Sequence, residues 1–243
     1  MRIGYSPLSP KDIVAHFIPG ALLLGLALWF LDGFAGIVIN LLTLGNGAVS
    51  LVMWLAAAYV AGVFIHVFRR FLIGRHRDQL ETALATQLLA EADSHFSPEF
   101  KRELAARSGR LFGHAAGEEL FQLCLNYNAQ HRAAGRAESL AAFGDMYKGL
   151  LATVRVGAAV SLLIAIKQVI LLLLPQLNMI VPVTGFLEYE AVQLAVAIIL
   201  LIVFGLSVQV LRKTTEAYAR ETVAEVYTGF LALTGDGRDG SSK

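Results

Sequence analysis

The chain reads as an all-α polytopic membrane protein with four transmembrane helices and a cytoplasmic helical bundle. Three observations predict this. Of 243 residues, 56% are hydrophobic and only 16% charged, with a mean hydropathy of +0.60, whereas a soluble domain carries about 25% charged residues. Four apolar runs, Ile13–Leu31, Val49–Phe68, Val156–Leu174 and Ala191–Leu211, match the roughly 20 residues that a helix needs to cross a hydrocarbon core of about 30 Å. Between the second and third runs lies a charged stretch that keeps helical periodicity throughout.

The basic residues orient the chain. Twelve of the 20 Lys and Arg fall between Arg69 and Arg155, two lie in the N-terminal tail (Arg2, Lys11) and five in the C-terminal tail. The segments 32–48 and 175–190 contain none. The positive-inside rule therefore places both termini and the middle segment in the cytoplasm, and a bacterial inner (cytoplasmic) membrane is the expected location. The single cysteine, Cys124, excludes an internal disulfide framework and a Cys-rich zinc site. The net charge of +1 carries no information on nucleic acid, because the distribution of charge is what informs. No nucleic-acid partner is expected.

Residues 1–71 hold the N-terminal tail and the first two spans. "SPKD" supplies Ser9 as N-cap, Pro10 at the first helical position and Asp12 at the third, a capping pattern just before an apolar run. Pro19 removes a backbone donor and is expected to kink the helix in its cytoplasmic third. His16, the Pro19-Gly20 pair and the lack of a small-x-small cleavage site argue against a signal peptide. The loop 32–48 is apolar, punctuated by glycine, and turns at Gly45-Asn46-Gly47.

Residues 72–154 form the expected cytoplasmic helical domain. Leu80, Leu84, Leu88 and Leu89 recur at helical spacing. "SPEFKRELAARSG" is a short helix with Ser97 as N-cap, Pro98 at N1 and Gly109 as its stop, and the next helix ends at Gly135. A further helix places Leu140, Phe143, Tyr147, Leu150 and Val154 on one face, and Gly144 and Gly149 weaken it without ending it. It runs without proline into the third span, and one helix over 137–174 would be about 57 Å long. Residues 155–212 hold spans three and four. Residues 213–243 comprise a cytoplasmic C-terminal helix, with Ala217, Val223, Val226, Tyr227 and Phe230 as its stripe, and a flexible tail.

Lys167 and Gln168 stand inside an otherwise apolar span. A charge at mid-bilayer costs about 2.5–3.5 kcal/mol on insertion scales and normally faces protein or water. Glu188, Glu190, Gln193 and the Leu171 carbonyl are the available partners, so these residues mark an intramembrane polar site serving as structural packing or as a pore lining. Snorkelling to the outer surface is the bland alternative, but helical side chains lean toward their own N-terminus, which here points inward. Arg69, Arg70, Arg75 and Arg77, with Arg212 and Lys213, form a basic collar suited to anionic lipid headgroups. Small pairs at four-residue spacing (Ala21/Gly25, Ala58/Gly62, Gly157/Ser161, Ala191/Ala195) permit close helix packing within a subunit or between copies.

No catalytic motif emerges, and the chain is not expected to be an enzyme or to carry a metal or cofactor. Cys124, Asn128 and His131 share a helix face, as do His114 and Glu118, but no oxyanion device accompanies them. "HRD" at His76–Asp78 lacks the asparagine of a kinase loop, since position 83 is Ala. Glu81, Glu91 and Asp93 show no metal-ligand grammar. His16 and His66, both in the cytoplasmic third of adjacent spans, are ordinary hydrogen-bonded residues or, less simply, a pH-sensing or metal pair.

"SPKDIVAHFIPG", the helical insert between spans two and three, and "AAFGDMYKGLLATV" resemble parts of uncharacterised four-span bacterial inner-membrane proteins, some found beside phage-defence genes. The resemblance covers two short stretches, with Lys148 where those proteins suggest Arg. It implies a sensor or effector role in antiviral defence and carries over no catalytic residues. The expectation is a non-enzymatic, oligomeric membrane sensor or adaptor whose cytoplasmic bundle engages a protein partner or ligand. The rival is an ion channel or pore-forming effector.

Overall fold

The computed structural model describes residues 15–27, 47–74, 79–131, 133–173 and 184–235, without the side chains of 47–50, 70 and 184–190. Among the described residues the regular structure is entirely helical: α1 (Ala15–Ala27), α2 (Gly47–Ile73), α3 (Leu80–Leu89), α4 (Pro98–Phe112), α5 (Gly117–Gln130), α6 (Gly135–Leu173) and α7 (Thr184–Gly235). The N-terminal cap at Ser9, the turn at Gly45-Asn46 and His76–Asp78 lie outside the described residues.

Among the described residues, three helices are long and apolar enough to cross a membrane: Leu51–Arg69 within α2, all of α6, and α7 from Ala191 onward. The fourth expected span coincides with α1, a shorter apolar helix over its described length. Within the apolar unit the outward faces of α2 and α7 are largely apolar. Val192, Ile199, Ile202, Leu206 and Val210 of α7 are all exposed, as are Val60, Phe64, Val67 and Phe71 of α2. An apolar surface of that extent is suited to lipid and not to water.

The chain divides into two compact units. Among the described residues, a polar unit comprises 74, 79–131, 133–145 and 213–235, and an apolar unit comprises 15–27, 47–73, 146–173 and 184–212. Both α6 and α7 contribute to each.

In the polar unit, α3, α4 and α5 pack with the first turns of α6 and the last turns of α7. Its core is Leu84, Leu88, Leu104, Leu120, Phe121, Cys124, Ala137, Ala219, Val223, Val226, Tyr227 and Phe230. Rings hold much of it: Phe96 stacks on Phe100 at 4.4 Å, and Phe230 meets both Phe112 and Tyr127 at 5.4 Å. Such pairs contribute about 0.5–1.5 kcal/mol each beyond burial. The α7 stripe is 219/223/226/227/230; Ala217 is exposed and Ala219 takes its place.

Helix boundaries follow local chemistry where it is strong. Ser97 Oγ accepts from Phe100 N at 3.2 Å with Pro98 at the first helical position, as expected of that pair. Gly109 does not stop α4. The helix runs on to Phe112 and ends at Gly113, whose φ of 74° suits glycine. An interior glycine costs about 1 kcal/mol, which the burial of Phe112 against Tyr127 and Phe230 offsets. Helix α5 ends at Gln130 rather than Gly135, and Gly135 instead begins α6. Lys101 Nζ caps the end of α3, donating to the Ala90 and Asp93 carbonyls.

The buried face of α6 also differs from the expected one. Of the expected face Val154 is buried and Leu140, Tyr147 and Leu150 are half-buried, but Phe143 is exposed, while Ala137, Gly144, Lys148, Leu151 and Ala152 are buried. Small residues win because they let a neighbour approach: a Cβ at Gly144 would meet Tyr218 and Glu81, both of the same unit, within 4 Å.

In the apolar unit, α1 and α2 nearly touch backbone to backbone. A Cβ on Gly20 would strike the Ala58 carbonyl, and one on Gly62 the His16 carbonyl. The Ala58/Gly62 pair therefore works as expected, but its counterpart on α1 is Gly20 and not Gly25, which has nothing within 4 Å. Ala191 and Ala195 are exposed. Pro19 is buried with its ring against Gly149, where a Cβ would lie 2.9 Å from Pro19 Cγ. Thr153 Oγ1 lies 3.0 Å from the Gly149 carbonyl and 3.4 Å from that of Pro19.

Candidate functional site

Three buried polar residues of the apolar unit, Ser161 and Gln168 of α6 and Gln193 of α7, fall on the facing surfaces of those helices. Gly157 fixes that contact, since a Cβ there would stand 2.8 Å from Phe204 Cε2. Ile164 and Ala197 belong to the same core cluster as Phe204, so the helices run antiparallel. Eleven residues along α6 from Gly157 and eleven back along α7 from Phe204 make about three turns on each helix. They lead to Gln168 and Gln193. Register thus sets these two glutamines level on facing surfaces, and both are only 5% exposed.

Ser161 lies between Gly157 and Gln168 on the same α6 face and is fully buried. Among the described residues, neither Ser161 Oγ nor Gln168 Oε1 has a hydrogen-bond partner. An unpaired buried polar atom costs about 1–3 kcal/mol, and no lipid can satisfy it. Ser161 appeared in the sequence only as a small residue; its place seven residues before Gln168 was the available signal.

Lys167 points elsewhere. One residue is about 100° of helix, so the neighbour of an inward Gln168 faces out. Lys167 is exposed, among exposed Leu163, Ile166 and Ile170. The expected set therefore separates into Gln168 with Gln193 inside and Lys167 outside. Glu188 and Glu190 fall in the first turns of α7, where side chains are outside the described residues, as are Arg70's side chain, Arg75 and Arg77.

At the α1–α2 contact the Gly20/Gly62 approach brings four more groups together. The His16 and His66 rings are 5.0 Å apart, Tyr59 lies 5.8 Å from His16, and Arg69 Nη1 stands 3.5 Å from His66 Nδ1. Arg69 is 8% exposed, turned into the unit beside His66, whereas Arg212 and Lys213 of the expected collar are exposed. The three-residue step from His66 to Arg69 was the overlooked sign. Nothing in the sequence pattern singles out Arg155, whose Nη1 donates to the Leu72 carbonyl at 2.6 Å, closing the end of α2 just before Gly74, whose φ is 87°. Among the described residues no group of three or more His, Cys, Asp or Glu could hold a metal ion.

The polar unit does not assemble Cys124, Asn128 and His131 into a reacting group. Cys124 is fully buried, and burial pushes its thiol up to about 12 from the ordinary 9.0, far from a thiolate nucleophile. Asn128 Nδ2 donates to the Val226 carbonyl at 2.8 Å, and the exposed His131 places Nδ1 2.8 Å from the Tyr127 carbonyl. Asp93 accepts from His95 N at 2.8 Å, a local turn contact. Comparison of the chain with protein-family models, curated proteins and solved structures found no match.

Proposed function

We propose that the protein is a non-enzymatic membrane sensor or adaptor, oligomeric, with four spans and both termini and the polar unit in the cytoplasm of a bacterial cell. One observation supports it above the rest. Helices α6 and α7, of 39 and 52 residues, each contribute to both units without a helical break. A change of state in the polar unit, on engaging a protein partner or ligand, then has a continuous element through which to bias the membrane helices. The resemblance to proteins beside phage-defence genes is consistent with a role in antiviral defence.

Hydrogen exchange in lipid nanodiscs tests this. Val223→Ala loosens the polar core, and transmission predicts altered exchange in residues 146–173 and 191–212. Unchanged exchange in those segments refutes the coupling.

A second reading, a channel or pore-forming effector, is favoured by the unpaired Ser161 and Gln168 oxygens. Membrane-potential dye separates the two. The adaptor leaves the potential intact on induced expression, and a pore depolarises the cell.

A further inference from the structure

Two oxygens in the apolar unit are buried where an unmet hydrogen bond is most costly, and both lie on one face of α6. Ser161 and Gln168 are seven residues apart, just under two turns. Their Cα levels differ by about 10 Å, and the Gln168 amide leans toward the helix N-terminus, hence toward Ser161. Across the contact, buried Gln193 stands level with Gln168, and the intervening Ala197 takes little room.

The chemistry of these atoms selects the occupant. A divalent cation needs several oxygen ligands, commonly carboxylates, and this face offers a hydroxyl and amides. An anion needs a positive charge, and Lys167 faces the other way. An apolar guest leaves both oxygens unmet. Water donates to either oxygen and accepts from an amide N–H, and buried waters form about three such bonds each.

We infer that the α6–α7 contact is a hydrated polar site, in which a short row of about two water molecules bridges Ser161 Oγ and Gln168 Oε1 beside Gln193. The α6 face that meets α7 there carries exchangeable hydrogen bonds, in contrast to the interlocked apolar contact at Gly157 and Phe204. The site stands whether or not the adaptor reading holds.

Water-edited solid-state NMR of the full chain in bilayers tests it. Magnetisation from water should reach the Gln168 side-chain amide at least fivefold faster than the backbone amides of lipid-facing Ile166 and Ile170. Ser161→Ala supplies a second readout, because removing a hydroxyl that water satisfies lowers Tm, whereas removing an unsatisfied one raises it. Build-up at Gln168 no faster than at Ile166, or a rise in Tm for Ser161→Ala, overturns the inference.

Discussion

Replacing Gly62 and Gly25 by alanine, one at a time, should produce opposite effects. Both glycines close a small-x-x-x-small pair in an apolar helix, so spacing alone treats them alike. A Cβ at Gly62 would stand 2.6 Å from the His16 carbonyl carbon and closer still to its oxygen. Carbon contacts are comfortable at about 3.5–4.0 Å, so α1 and α2 must separate by roughly 1 Å. No side-chain rotation relieves a clash with backbone. Overpacking of this kind costs about 1–3 kcal/mol. Gly25 meets nothing within 4 Å, and Gly→Ala in a helix interior gains about 0.5–1 kcal/mol. The variants should therefore differ by roughly 2–4 kcal/mol, and at 2–4 °C per kcal/mol for a chain of this size by about 4–16 °C in Tm. Thermal unfolding in one detergent, followed by helical circular dichroism, reads this directly. Equal shifts, or a larger loss at Gly25, would refute the α1–α2 contact.

Cys124 should react with iodoacetamide at pH 8 at least a hundredfold more slowly in the native protein than in the urea-unfolded chain. Because its folded value is raised to about 12 from 9.0, the folded state holds the proton that the unfolded state releases. Stability should thus be flat below pH 8 and fall by about 1.4 kcal/mol per unit between pH 9 and 12, and the buried Tyr227 hydroxyl, pushed up mainly by burial, acts in the same direction. Denaturant titrations at pH 8, 10 and 11 check the slope. Arg107→Ala removes a donor to the Leu231 carbonyl at 2.6 Å and the ion pair with Glu103; a loss of about 1–2 kcal/mol should appear as faster proteolytic trimming from the C-terminus. Lys167→Leu should leave the thermal stability of a single subunit unchanged or higher, since its side chain faces outward, and a drop in oligomer mass by light scattering would place Lys167 at a contact between copies.

Legibility in the sequence followed the range of the interaction. The Ser97-Pro98 start of α4 was readable because its chemistry spans three residues. Continuity of α6 was readable from the absence of proline. Gly109 misled because what carries α4 past it is Phe112 meeting Phe230, more than a hundred residues away in sequence. Phe143 misled for a related reason: hydrophobicity marked it as core, but the neighbour approaches over Gly144, where there is no side chain to keep it away.

Lys167 and Gln168 show the same limit at a single step. As adjacent polar residues in one span they suggested one site with one purpose. Which side of α6 each occupies depends on where Gly157 lets Phe204 come in, three turns earlier. Once that contact sets the phase, Gln168 must face Gln193 and Lys167 must face away. Lys167 and Gln168 therefore stand about 100° apart around α6, Gln168 on its buried face and Lys167 on its exposed one. The Lys167 charge acts on the exposed side of α6, apart from the buried Ser161 and Gln168 oxygens.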